Sequence, residues 1–201
     1  MSSLKLKHSG GNSVSIAAPS SNPASNRTIT VPSTADGTML TTTNPKSGSI
    51  IQVVSTTKTD QFSSTAVQSF TDITGLSVDI TPSATSSKIL VTASVCFGLD
   101  ISHSTVVLRF VRDSTAIAIA DADNNRPRGT FTSQPMNDGY IANAVGIHLD
   151  SPSSTSQLTY KVQFYDYHAN TFYVNRSFRN FDASTYDMVA TSNITVQEVA
   201  A

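Results

Sequence analysis

The stretch "SSKILVTASVCFG", Ser86 to Gly98, decides the fold. Ile89, Val91, Ala93, Val95 and Phe97 fall on one side of an extended chain, and Leu90, Thr92, Ser94 and Cys96 fall on the other. That period of two belongs to a strand with at least one buried face. Leu158 to Phe164 alternates more cleanly: Leu158, Tyr160, Val162 and Phe164 point one way, and Thr159, Lys161 and Gln163 point the other, so its outer face is wet. Together the two runs predict a sheet protein with an apolar interior.

Other strands follow on both sides. "SIIQVVS" (Ser49 to Ser55) and "AVQSFTDI" (Ala66 to Ile73) precede the central run, and after Gly75 the residues Leu76, Val78 and Ile80 alternate up to Pro82. Beyond it come Ser104 to Asp113 and Thr115 to Asp121, joined by a tight hairpin at Asp113 and Ser114. Asp121 to Gln134 reads as the longest irregular stretch. Strands resume at Ile141 to Leu149, Leu158 to Tyr167, Thr171 to Ser177 and Asn193 to Val199, the last tying that end of the chain into a sheet. A helical period is absent from any long window. About nine or ten strands suffice for two packed sheets, an antiparallel β-sandwich of the jelly-roll kind over 49–201.

Residues 1–48 differ in character. Leu4 and Leu6, Val14 and Ile16, and Ile29 and Val31 form three short apolar alternations between Gly, Pro, Ser and Asn breaks. Each is too short to bury a core. Pro19, Pro23, Pro32 and Pro45 exclude helix. The segment reads as an extended arm, ordered by lying on a surface or by winding with its own copies, with a disordered linker as the rival reading.

Composition narrows the function classes. Charged residues make up 13% of the chain and hydrophobic ones 38%, with Ser, Thr and Asn filling the difference. That mixture suits short strands joined by polar turns. A net charge of -1 with 13 scattered basic residues argues against a nucleic-acid partner, which needs clustered cations. The single cysteine, Cys96, forbids an internal disulfide and reads as a small core residue. No run approaches the ~20 apolar residues of a membrane helix, and "MSSLKLKHSGG" has no signal-peptide core, so synthesis in a cytoplasm with no membrane partner is expected.

Candidate chemistry is sparse. Asp121, Asp123 and Asn125 in "DADNN" carry oxygens at a spacing that suits calcium. The EF-hand template fails, because its sixth position holds Arg126 and its twelfth Thr132, so a solvated loop is the better reading and no metal or cofactor is expected. His8, His103, His148 and His168 share no metal-ligand spacing, and the pairs His148 with Asp150 and His168 with Asp166 lack a third catalytic partner. No catalytic residue is expected. Phe164 to Phe181 is rich in rings, and alternation leaves Tyr165 and Tyr173 outside, with Tyr167, Arg176 and Arg179 near them. Such residues suit a protein interface or a glycan contact. Asn26, Asn175 and Asn193 open N-x-Ser/Thr patterns that carry little meaning without a secretory signal.

The segment "NRTITVPSTADGTML" (Asn26 to Leu40) resembles an element that recurs near the N-termini of bacteriophage fibre and other virion proteins. "SGSIIQVVSTTKTD", "FTDITGLSVDITPSATSSKILV", "FVRDSTAIA", "TFYVNRS" and "SNITVQEV" resemble a module frequent in phages of marine and freshwater bacteria, including cyanophages. The resemblance implies a non-enzymatic virion accessory protein, homotrimeric, with an N-terminal arm on the particle and a β-rich knob outward. Its partners would be the major capsid protein or other virion proteins. The compact length favours a head decoration or cement protein; a tail fibre contacting host surface glycans is the alternative.

Overall fold

The computed structural model describes residues 3–7, 9–17, 45–100, 105–133, 140–168, 171–182 and 187–201. The described residues hold thirteen strands and no helix: β1 (Ser3–Lys7), β2 (Ser13–Ala17), β3 (Ile50–Lys58), β4 (Phe62–Ser64), β5 (Thr71–Ile80), β6 (Lys88–Leu99), β7 (Val106–Arg112), β8 (Thr115–Ile117), β9 (Phe131–Ser133), β10 (Ala142–Asp150), β11 (Leu158–Tyr165), β12 (Phe172–Val174) and β13 (Ser192–Val199). Every pairing is antiparallel. The fold is an all-β sandwich of the jelly-roll-like kind, as the alternation predicts.

The chain divides into two units, within 1–39 and 40–201. In the first, β1 and β2 form a hairpin with Leu4 opposite Ile16 and Leu6 opposite Val14, and Leu6 and Ile16 are exposed. Two of the three apolar alternations therefore pair with each other. The third, Ile29 and Val31, lies outside the described residues.

In the second unit, the long central strand β6 organises a six-stranded sheet. One edge of β6 pairs with β10 from Ile89 to Phe97; the other pairs with β13 as far as Ser94 and then with β12 from Phe97 to Leu99. β13 pairs onward with β3, and β12 with β4. The second sheet runs β5, β11, β7, with β8 and β9 sharing the far edge of β7. The two sheets enclose one core of Ile, Val, Leu and Phe side chains. Phe172 lies at one end of it, its ring 4.2 Å from that of Phe164 on the opposing sheet and 5.3 Å from Phe97.

Several strands depart from their expected extents, each for a local reason. Ala66 to Phe70 is a turn rather than strand: Gln68 takes a φ of 53°, and its amide donates to the Asp166 carbonyl at 2.7 Å. β5 continues through Gly75 as a bulge. Lys161 pairs with Ser77 and Gln163 with Asp72, so two residues along β11 face five along β5. Gly75, at φ 82°, absorbs the excess, and the phase slip buries both Ile73 and Leu76 although they are three apart. Ala118, at φ 53°, ends β8 early. β9 arises inside the expected irregular stretch because Thr130 ties it down, its hydroxyl accepting from the Phe110 amide and donating to the Ile117 carbonyl, each at 3.1 Å.

β10 turns its small residues inward. Ala144 and Gly146 face the core, and a Cβ on Gly146 would stand 2.4 Å from the Phe131 ring, so that ring occupies the space a side chain would need. Val145, Ile147 and Leu149 consequently point outward.

Candidate functional site

The two outer faces of the sandwich have opposite chemistry. On the five-stranded sheet, Asp72 accepts from Lys161 Nζ at 2.7 Å and from Gln163 Nε2 at 2.6 Å. Arg109 Nε donates to Gln163 Oε1 at 2.8 Å, and its guanidinium lies 3.6 Å above the Phe70 ring, which leans on Tyr165. Thr159 donates to Asp79 at 2.6 Å. Burial opposes ionisation of Asp72, yet the bonds from Lys161 and Gln163 outweigh it and hold its carboxyl below the usual aspartate range. This ladder of crossed charges is built to face water.

The six-stranded sheet has no such ladder. Register places Asn143, Val145, Ile147 and Leu149 of β10, Leu90, Thr92, Ser94 and Cys96 of β6, Asn193, Thr195, Gln197 and Val199 of β13, and Ile51, Val53, Ser55 and Thr57 of β3 on one outward surface. Lys88, at the margin, is the one charged side chain among the outward positions of these four strands. Val145 is 65% exposed, Ile147 66% and Val53 57%. Between the two apolar flanks, the polar groups bond one another: Ser55 with Thr195 at 2.8 Å, Ser94 to Asn143 Oδ1 at 2.9 Å, and Thr92 to the Thr195 carbonyl at 3.4 Å.

One end of this surface is closed by the chain after β12. Gly98 allows it: a Cβ there would lie 2.8 Å from the Arg176 carbonyl and 3.1 Å from Ser177 Cα. Asn175 makes the crossing. Fully buried at φ 67°, it donates through Nδ2 to the Lys58 and Asp60 carbonyls, both at 2.8 Å, and accepts from the Ser192 hydroxyl at 2.7 Å. Its amide reaches the Cys96 carbonyl at 2.8 Å. Beyond it, Asp187 accepts from the Ser177 hydroxyl and from the Phe181 amide at 3.2 Å, with Arg179 Nε 3.6 Å away. The Ser177 bond leads in holding the Asp187 carboxyl below its ordinary range. The braced segment presents Phe178, Phe181, Met188 and Val189 to the outside.

A further polar network ties the sheets together. Tyr160 donates to Asp150 Oδ2 at 2.7 Å, and Arg112 meets the same oxygen at 2.6 Å. Burial, reinforced by Asp150, drives the Tyr160 hydroxyl far above its usual range, so it stays protonated and serves as a donor. Glu198, on the buried side of β13, accepts from the Ser83 amide and hydroxyl, both at 2.7 Å.

The structure distributes the residues singled out from sequence. Tyr165 and Tyr173 lie on opposite outer faces, both half-buried: Tyr165 rests against Phe70, while Tyr173 lies 4.0 Å beneath the Arg176 guanidinium. Tyr167 is exposed beside His168. Arg179 serves Asp187. These five residues do not converge on one patch. Asp121, Asp123 and Asn125 are exposed, and Asp123 is engaged within its own loop by Arg126 at 2.8 Å and Asn124 at 2.8 Å. Asp150 binds Tyr160 and Arg112, and Asp166 accepts the backbone amide of His168 at 3.1 Å. His8 and His103 fall outside the described residues. Cys96 is not a core residue: it stands half-buried on the outward side of β6, its sulfur 3.9 Å from Asn143 Oδ1, with burial raising its thiol pKa. Asn175 is no glycosylation acceptor, because its side chain is buried and both hydrogens of its amide are committed to the Lys58 and Asp60 carbonyls.

Sequence reasoning missed the uncharged face. Its signal was present in "ANAVGIHLD", where bulky apolar residues hold one side and small ones the other, but alternation does not say which side is inward.

No protein-family model matches the chain, and no curated protein matches it. Among solved structures it is similar to the infectious bursal disease virus VP2 subviral particle (14% identity, TM-score 0.37, 94% of this chain and 47% of that one). It is also similar to the D431N mutant VP2 of the same virus in derived T=1 particles, at 13% identity and TM-score 0.38 over 98% of this chain and 48% of that one. The chain spans about half the length of these VP2 chains. No described helix is long and apolar enough to cross a membrane.

Proposed function

We propose that the chain is a non-enzymatic structural protein of a virion that works as a homo-oligomer in contact with other virion proteins. One observation carries the reading: a four-strand surface that is uncharged apart from its margin and flanked by exposed Val, Ile and Leu, on a chain whose opposite face carries paired charges. Large exposed apolar patches of this kind mark association surfaces. The sequence motifs between Asn26 and Val199 favour a bacteriophage, three chains per assembly, and a place on the head as a decoration or cement protein. In this reading the arm, 1–48, anchors the chain through Leu4, Leu6, Val14, Ile16, Ile29 and Val31, and the sandwich over 49–201 faces outward. The exposed Leu6 and Ile16 of the hairpin support the anchoring role.

Immunogold electron microscopy of purified phage particles, with serum raised against the full chain, tests the proposal. Regular labelling of the head is expected. Labelling confined to the tail would move the chain to the fibre reading, and unlabelled particles from a lysate rich in the protein would overturn the virion role.

A further inference from the structure

We infer that the uncharged face of the six-stranded sheet receives a second copy of this chain, packed sheet on sheet about a two-fold axis. The inference rests on the oligomeric part of the reading above and names the surface and the occupant.

Three features of the face select a copy of itself. The first is its pattern, an apolar flank on β10 (Val145, Ile147, Leu149), a neutral polar centre on β6 and β13, and a second apolar flank on β3 (Ile51, Val53). A two-fold axis along the strands lays the β10 flank over the partner's β3 flank; an axis across the strands lays each flank on its own counterpart. Either way apolar meets apolar and neutral meets neutral, which is the self-complementarity an isologous contact requires. The second is charge. Lys88 borders the face at one end and Arg176, Arg179 and Asp187 border it at the other, so the charge-free interior of two copies meets without repulsion, whereas a strongly charged partner would find no counter-charge there.

The third is the low cost of covering the centre. Ser55, Thr195, Ser94, Asn143 and Thr92 already bond within the sheet, so drying the face leaves Asn193, Gln197 and Thr57 as the side chains that must find partners across the contact. Size reaches the lower bound for a specific contact. Four strands ~4.8 Å apart and about eight residues of ~3.4 Å each give a footprint of about 500 Å² per copy before side-chain relief. Two copies together bury about 1,000 Å², where specific contacts begin. Twisted sheets meet comfortably at ~10 Å and about 30° in this mode.

A two-fold contact makes the assembly even-numbered. Three chains joined through other surfaces would be doubled by it, so the solution mass is that of two chains or six. The test is light scattering after size exclusion on the full chain and on Ile147→Lys and Val53→Lys, both at exposed positions where lysine leaves the fold intact. The expected result is an even-numbered parent whose mass is halved in each variant, with unchanged circular dichroism. A monomeric or three-chain parent overturns the inference, as does an even-numbered parent whose mass neither variant alters.

Cys96, the chain's single cysteine and half-buried on this face, supplies a readout that needs no folding control. Its alkylation by iodoacetamide should slow at least tenfold as protein concentration rises through the association range; a rate independent of concentration would sink the inference. The outcomes separate from those of the virion reading. Protein that pairs in solution but is missing from particles refutes the virion role alone, and protein present on particles yet solitary in solution refutes the pairing alone.

Discussion

The outer faces of the two sheets are made by strands of the same period, on the same core, yet only one is finished as a solvent surface. On the β5–β11–β7 side every charged group has a partner across the strands: Asp72 with Lys161, Arg109 with Gln163 and Phe70. On the β10–β6–β13–β3 side the outward positions are Val, Ile, Leu, Thr, Ser, Asn, Gln and Cys96 up to Lys88. Charge left out of one face and gathered on the other is how a sandwich tells its neighbours which side to approach.

Three changes break or sharpen the contrast, in descending size. Asn175→Ala attacks the joint that brings the 176–182 segment over Gly98. It leaves the Lys58 and Asp60 carbonyls without their donor and the Ser192 hydroxyl without its acceptor, so denaturant unfolding should show a loss of about 3 kcal/mol. A loss under 1 kcal/mol would mean that water replaces the side chain and that the joint is not structural.

The second change is acidification. Asp187 is held below its ordinary pKa in the folded chain, first by Ser177, so the stability it supplies is complete above the ordinary aspartate range and drains away as pH falls through the depressed value. The protection of the Phe181 amide, bonded to Asp187 Oδ2, measured as its exchange rate relative to the free peptide at the same pH, should therefore fall at acid pH, and in Asp187→Asn it should be low already at neutral pH. Exchange equally slow in the variant would show that the segment is braced by something else.

The smallest effect belongs to the charged face. Asp72→Asn removes an exposed pair and should cost about 0.5 kcal/mol in a thermal melt, with no change in solution mass. A change of mass would place association on the wrong face and erase the contrast.

Much of the sandwich was legible from residues alone, because one-sided burial writes itself as alternation. β11 and β13 alternate strictly, β6 does so up to Phe97, and all three lie close to their predicted positions. What escaped was set by single residues whose backbone departs from the regular extended form. The Gly75 bulge keeps Ile73 and Leu76 on one side, and Gln68 and Ala118 at positive φ cut short two runs whose composition is that of strands. The candidate surface escaped for a different reason. In β10 the bulky side is outward because the Phe131 ring, contributed by another strand, has taken the interior space against Gly146. Only the fold brings those two residues together. Cys96 was misplaced by the same ambiguity, since a small residue in an apolar run gives no indication of its side. The aromatic stretch Phe164 to Phe181 looked like one patch because its residues are consecutive, but β11 and β12 belong to different sheets, which carries Tyr165 and Tyr173 to opposite faces.

The position of β13 has a consequence in time. It is the last of the described strands in sequence order, yet it lies inside its sheet, between β6 and β3, and β3 has no other strand partner among the described residues. While a ribosome is still making the chain, β3 and β6 are already outside the tunnel with the slot between them open, and the surface they will share does not exist. The β-strand that completes the core also completes the surface. A nascent chain thus has no finished face to offer a neighbouring nascent chain, and pairing is postponed until synthesis has delivered residues 192–199.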